Sequence, residues 1–107
     1  MGNGPIGVQS FYSAGIGTKL NQPAGNNLIK AGQGILRRIV VITAPSAGGV
    51  QAYDIAAAGG TKDATTQIFA SPTATPAVGT VFDINMPVAS GSVVVVGTGG
   101  VVAVSYS

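Results

Sequence analysis

The chain has no cysteine, no histidine and no tryptophan in 107 residues, and only five basic and three acidic side chains. Without cysteine there is no disulfide framework and no thiolate zinc site, so the redox compartment is not readable. Without histidine both the commonest metal ligand and the commonest general base are gone. Serine and threonine are plentiful, but with lysine only at 19, 30 and 62 no neighbour is on hand to activate a hydroxyl. The three acids, Asp54, Asp63 and Asp83, lie in separate segments and lack both the dense spacing of a calcium loop and the signature of a working carboxylate pair. No catalytic residue, metal ligand or cofactor is therefore expected, and an enzyme is disfavoured.

Charge is scarce as well. Charged residues make up 7% of the chain, against about 25% in an ordinary soluble domain, while 46% are hydrophobic. The net charge of +2 is too small and too scattered for a nucleic-acid stripe, which needs clustered Lys and Arg to neutralise phosphates. A surface so poor in charge must be covered by Ser, Thr, Asn, Gln and Gly, by other protein chains, or by both, and both are expected here. Self-association follows as an expectation, because little repulsion keeps monomers apart. Met1 to Gly7 carries neither the cationic start nor the apolar stretch of an export signal, which points to a cytoplasmic product. The apolar C-terminal part is broken by Ser90-Gly91-Ser92 and by Gly97 to Gly100 before it reaches the ~18 apolar residues of a spanning helix, so no membrane role is expected.

What is abundant is glycine, 17 residues, and β-branched side chains. Val93 to Val96, then Gly97-Thr98-Gly99-Gly100, then Val101-Val102-Ala103-Val104 reads as a hairpin buried on both faces, since branched residues suit a pleated surface and glycine suits a tight turn. Ile35 to Thr43 is the clearest strand, stopped by Ala44-Pro45-Ser46. Further strands are expected over Val50 to Ala56, with Tyr53 and Ile55 on one face and Ala52 and Asp54 on the other, over Thr65 to Ala70, and over Thr80 to Met86, with Phe82, Ile84 and Met86 inward. Leu28 to Lys30 is a short first strand. Ala57 to Asp63, and Ser71 to Val78 with Pro72 and Pro76, are connections. The expected core includes Ile39, Val41, Phe82, Ile84, Val94 and Val102.

Two glycine patterns imitate nucleotide sites. Gly2 to Gly7 spells G-x-G-x-x-G, but no strand precedes it and Pro5 sits in its middle; Val93 to Gly100 looks like a strand and phosphate turn, but no crossover helix follows. Both are coincidences of a glycine-rich chain.

These elements predict an all-β fold: a single antiparallel β-sandwich or jelly-roll-like barrel of about seven strands, spanning 27–107, with an extended N-terminal arm over 1–26. The arm is rich in Gly, Pro, Asn and Gln and cannot bury a core alone, so its apolar residues Ile6, Val8, Phe11, Tyr12 and Ile16 are candidate anchors on a neighbouring subunit. Arg37-Arg38 is the one concentrated charge. On a regular strand one of the pair faces solvent or a partner and the other the core side or a sheet rim, so the pair is either a strand-edge device or a contact with an acidic partner.

The order Gly34 to Val41, Ala52-Tyr53-Asp54, Gly60-Thr61-Lys62, Phe82-Asp83-Ile84 with Met86-Pro87, then Gly91 before the valine run and the closing Val102 to Tyr106, resembles small capsid decoration (cement) or head-spike proteins of tailed bacteriophages, over about residues 28–107. The resemblance implies a β-sandwich or jelly-roll-like module on the outside of a capsid, bound to the major capsid protein and to itself as a dimer or trimer, with no catalytic residues. A different class remains open: a tail-fibre or spike module that grips a host glycan, weakened by the lack of tryptophan and the few tyrosines.

Overall fold

A computed structural model describes residues 17–107. The described chain is all-β and antiparallel, with six strands: β1 (Gly17–Ala31), β2 (Gly34–Thr43), β3 (Ala47–Tyr53), β4 (Gln67–Ala70), β5 (Val81–Val88) and β6 (Gly91–Tyr106). Six strands stand where about seven were expected, and their sheet curls nearly into a barrel-like shape.

The expected C-terminal hairpin does not exist. Both valine runs belong to one 16-residue strand, β6, which is the spine of the molecule. Along one side it pairs with β1, from Gly17↔Tyr106 to Ala31↔Gly91. Along the other it pairs first with β3 (Tyr53↔Val93 to Ala47↔Thr98) and then with β2 (Thr43↔Val101 to Leu36↔Tyr106). The glycines that mimic a hairpin turn bend this strand without reversing it. Gly99 takes φ +73, and a Cβ on Gly97 would stand against backbone atoms of Ala47 and Gly49, so the strand can pass β3 there only without a side chain. On the partner side the break is supplied by the buried Pro45, between the end of β2 and the start of β3.

The boundary expected at residue 26 falls inside β1. Residues 17–26 are not an arm; they are paired to β6, and only 1–16 lie outside the described residues. Their Gly, Pro and Asn content disfavours a strand in isolation, but a long valine-rich neighbour supplies the hydrogen bonds that local propensity cannot. The composition shows instead as irregularity: register shifts at Lys19/Gln22 and Pro23/Gly25, Asn21 at φ 53 and Gly25 at φ 110.

A second bend closes the fold. The Ala31↔Gly91 pair of β1 and β6 leads, through Gly32 N donating to Ser90 O (2.8 Å), into the Gly34↔Val88 pair of β2 and β5. The two halves of the sheet thereby turn their apolar faces to each other. Ile29, Val50, Ala52, Val94 and Val96 from one half meet Leu36, Ile39, Val102 and Val104 from the other, and Phe69 of β4 touches Phe82 of β5 at 5.0 Å between ring centroids. Of the expected core, Ile39, Val41, Val94 and Val102 are buried, whereas Phe82 and Ile84 are half-buried at its open side. A smaller cluster of Tyr53, Ile55 and Val93 lies on the opposite face, with Leu28 and Val95 against it, so Val93 to Val96 are covered on both sides. Met86, expected inward, is exposed. The extra residue around Asn85 (φ 50), between the pairs Leu36↔Met86 and Arg38↔Asp83, shifts the alternation and sends Val88 inward instead.

Candidate interaction surface

A bulge decides where the two arginines point. Leu36 pairs with Tyr106 and Arg38 with Ser105, so β2 carries one residue more than β6 at Arg37. Inward positions are then three apart, Leu36 and Ile39, both fully buried, and neither arginine faces the core. This corrects the expectation of one arginine on each face. β2 also lies between β6 and β5, so the pair does not guard a sheet edge. The half-buried Arg37 donates from Nε to Ser107 Oγ (3.2 Å). Arg38 Nε meets Asp83 Oδ1 at 2.6 Å, with both side chains more than half exposed (57% and 59%), a geometry that contributes little to stability in water. It does offset the charge of Asp83, while Arg37 keeps its own.

The candidate anchors Ile6, Val8, Phe11, Tyr12 and Ile16 lie outside the described residues. What the structure brings together instead is the loop between β4 and β5. It is pinned at one end by Ser71, whose N donates to Val50 O (2.8 Å) and whose Oγ accepts from Val50 N (3.0 Å), and in the middle by Gly49 N donating to Ala74 O (2.8 Å). At its other end Gly79 N donates to Val41 O (2.8 Å) and Val41 N to Thr80 O (2.9 Å). Between this loop and β5 lies a cleft of about 350 Å³, lined by Pro72, Thr73, Thr75, Pro76, Thr80 and Phe82 among others, none of its lining residues charged. The bonds of Val41 also bring Ile42, Val78 and Val81 to the same end of the β2–β5 pair, and all three are exposed apolar side chains (47%, 65% and 47%). By alternation Val81 faces away from Phe82, so these groups form an exposed apolar patch at the end of the β2–β5 pair that also carries the cleft, and such a patch marks a contact surface more than a solvated one. In the sequence this loop reads only as a proline-bearing connection. The signal that could have found it is the pair of prolines, which stiffen a segment carrying three threonines into a fixed wall.

The acids are structural. Asp54, expected as an outward strand residue, stands just past β3 and accepts from the backbone of the β5–β6 connection: Ala89 N on Oδ2 (3.0 Å), Ser90 N and Gly91 N on Oδ1 (2.8 and 3.2 Å). Partial burial raises its pKa, but the three N–H donors outweigh that and hold the carboxyl below its ordinary value. Asp63 organises its own loop, accepting from Thr65 Oγ1 (2.6 Å) and Thr65 N (2.9 Å), which also lower its pKa. Lys62 donates to the carbonyls of Ala58 and Gly60. Among the described residues no group of three acidic side chains could hold a metal ion, and no helix is long and apolar enough to cross a membrane.

Compared with protein-family models, with curated proteins and with solved structures, the chain matches none.

Proposed function

We propose that this chain is a non-enzymatic structural virion protein that decorates or cements the outer surface of a bacteriophage capsid, binding the major capsid protein and further copies of itself. It would be made in the host cytoplasm and end on the capsid surface, touching neither nucleic acid nor membrane. The observation that carries this reading is the exposed apolar patch of Ile42, Val78 and Val81 at the end of the β2–β5 pair, with an uncharged cleft at the same end, on a chain whose described acids are engaged in holding loops and neighbouring strands. A surface of this composition favours protein contact through burial and shape, and a compact antiparallel sheet presents it rigidly. Residues 1–16 and the Arg37-Arg38 pair are the remaining contact candidates, the first by apolar side chains and the second by the charge that Arg37 keeps once Arg38 has paired with Asp83.

The test is stoichiometry and occupancy. Purified protein added to phage heads lacking it is expected to saturate them at a copy number comparable to the capsid subunit and to raise their resistance to heat or chelator. No binding to heads, or a few copies per particle confined to the tail, would refute the proposal. The second outcome would favour a host-binding module, for which the threonine hydroxyls and Phe82 of the cleft are the supporting observation, and glycan-array binding abolished by Thr75→Trp would then be its evidence.

A further inference from the structure

The cleft beside Phe82 needs an occupant with an apolar anchor, and the chain itself carries one. Of its six aromatic residues, Tyr53, Phe69, Phe82 and Tyr106 are placed in the sheet. The other two, Phe11 and Tyr12, are the only adjacent aromatics in the sequence and stand in the 16 residues that precede β1. We propose that the cleft between the β4–β5 loop and β5 receives Phe11 and Tyr12 from the N-terminal segment of a second copy of this chain. The inference rests on the self-association that forms part of the proposed function, and it names the surface through which that association runs.

Chemistry and strand direction both favour this occupant. The cleft volume of about 350 Å³ suits one or two rings, the proline walls and Phe82 offer flat apolar faces, and the threonine hydroxyls can meet the tyrosine OH. The segment carries no charged side chain between Gly2 and Ile16, matching a cleft whose lining is uncharged.

Direction decides whose segment it is. β1 and β2 both run antiparallel to β6, from the pairs Gly17↔Tyr106 and Leu36↔Tyr106 toward Pro23↔Val101 and Thr43↔Val101. The cleft lies toward the later end of β2, where Phe82 pairs with Ile39 and Thr80 is bonded to Val41. A segment continuing β1 backward from Gly17 would lead away from its own cleft, and to enter it the chain would have to reverse at Gly17 and cross three strand spacings, about 14 Å, over its own sheet. The segment of a neighbour carries no such demand.

Sedimentation of the full chain, of the double variant Phe11→Ala/Tyr12→Ala and of Ala77→Trp, which fills the cleft from an exposed loop position, tests this. Each variant is expected to raise the dissociation constant of self-association roughly thirtyfold or more. An equimolar mixture of the two variants is expected to associate more tightly than either alone, since one supplies the intact cleft and the other the intact segment. Variants that assemble like the parent would overturn the docking while leaving self-association in place. A parent that is monomeric at high micromolar concentration would overturn both. A mixture no tighter than its components would overturn the exchange between copies. Thermal unfolding identifies a misfolded variant, and Thr75→Trp then replaces Ala77→Trp.

Discussion

Replacing Asp54 tests how the second bend of the sheet is held. The carboxylate receives three backbone N–H groups from Ala89, Ser90 and Gly91, where the chain passes from β5 into β6. Two of these bonds are exposed and the third is part-buried, so each contributes at the low end of the roughly 1.5–3 kcal/mol typical of bonds to charged groups, and the site loses part of that to competing water. Asp54→Ala is expected to cost about 2 kcal/mol. Asp54→Asn keeps one oxygen but turns an NH2 group toward one of the donors, and should cost about 1 kcal/mol or more. For a domain of this size, 1 kcal/mol moves the melting temperature by about 4–8 °C, so circular dichroism melts resolve both. The carboxyl pKa is lowered on folding, so its contribution is full above the unfolded-state value and fades as pH falls through the folded-state value, that is, below about pH 4. The gap between parent and Asp54→Asn should accordingly be wide at pH 6.5 and shrink at pH 2.5. Equal melting temperatures at pH 6.5, or a gap that does not narrow in acid, would refute the capping role.

Leu36 is fully buried between the two halves of the sheet, so Leu36→Ala should cost about 3 kcal/mol, whereas Phe82→Ala, half-buried at the open side, should cost about 2 kcal/mol; urea denaturation measures the order, and a larger loss at Phe82 would move the centre of the core to the cleft. Gly97→Ala should destabilise by at least about 2 kcal/mol, because its methyl meets the backbone at Ala47 and Gly49; a melting temperature equal to the parent's would mean that β6 does not cross β3 so closely. Deleting residues 2–16 should leave the cooperative unfolding transition intact, while deleting 2–24 removes half of β1 and should abolish it, as read by near-ultraviolet circular dichroism.

Strand content was legible because Ile35 to Thr43 and the valine runs leave the backbone no other economical conformation, and the end of β3 separates its faces as alternation requires, Ala52 into the main core and Tyr53 into the smaller one, where Ile55, just past the strand, joins it. What stayed hidden was each place where one residue was added or a strand bent. The bulge at Arg37 changes period two into period three, and no feature of Leu36-Arg37-Arg38-Ile39 marks it except two charges that cannot enter a core. Gly97 to Gly100 has the composition of a turn, and only the neighbours Ala47 and Gly49 decide that it is a bend. β1 was hidden for the opposite reason: its composition resists strand formation, and its partner lies at the far end of the sequence. The cleft was invisible because its walls meet through backbone bonds from Gly49, Val50 and Val41 that no side-chain pattern encodes.

The position of β6 in the sequence carries a kinetic consequence. It is the last of the six strands, yet β1, β2 and β3 all pair with it, and β1 does so across separations as long as Gly17 to Tyr106. Before β6 is available only β2 with β5 and β3 with β4 can pair. Loop closure must therefore precede most of the reward, and contact order this high places folding in the slow range of milliseconds to seconds. During synthesis the emerging chain holds β1 unpaired, and β2 and β3 each with one open edge, until the spine arrives, so most of the sheet assembles late, and any factor that shields those edges during that interval will govern the yield of folded protein.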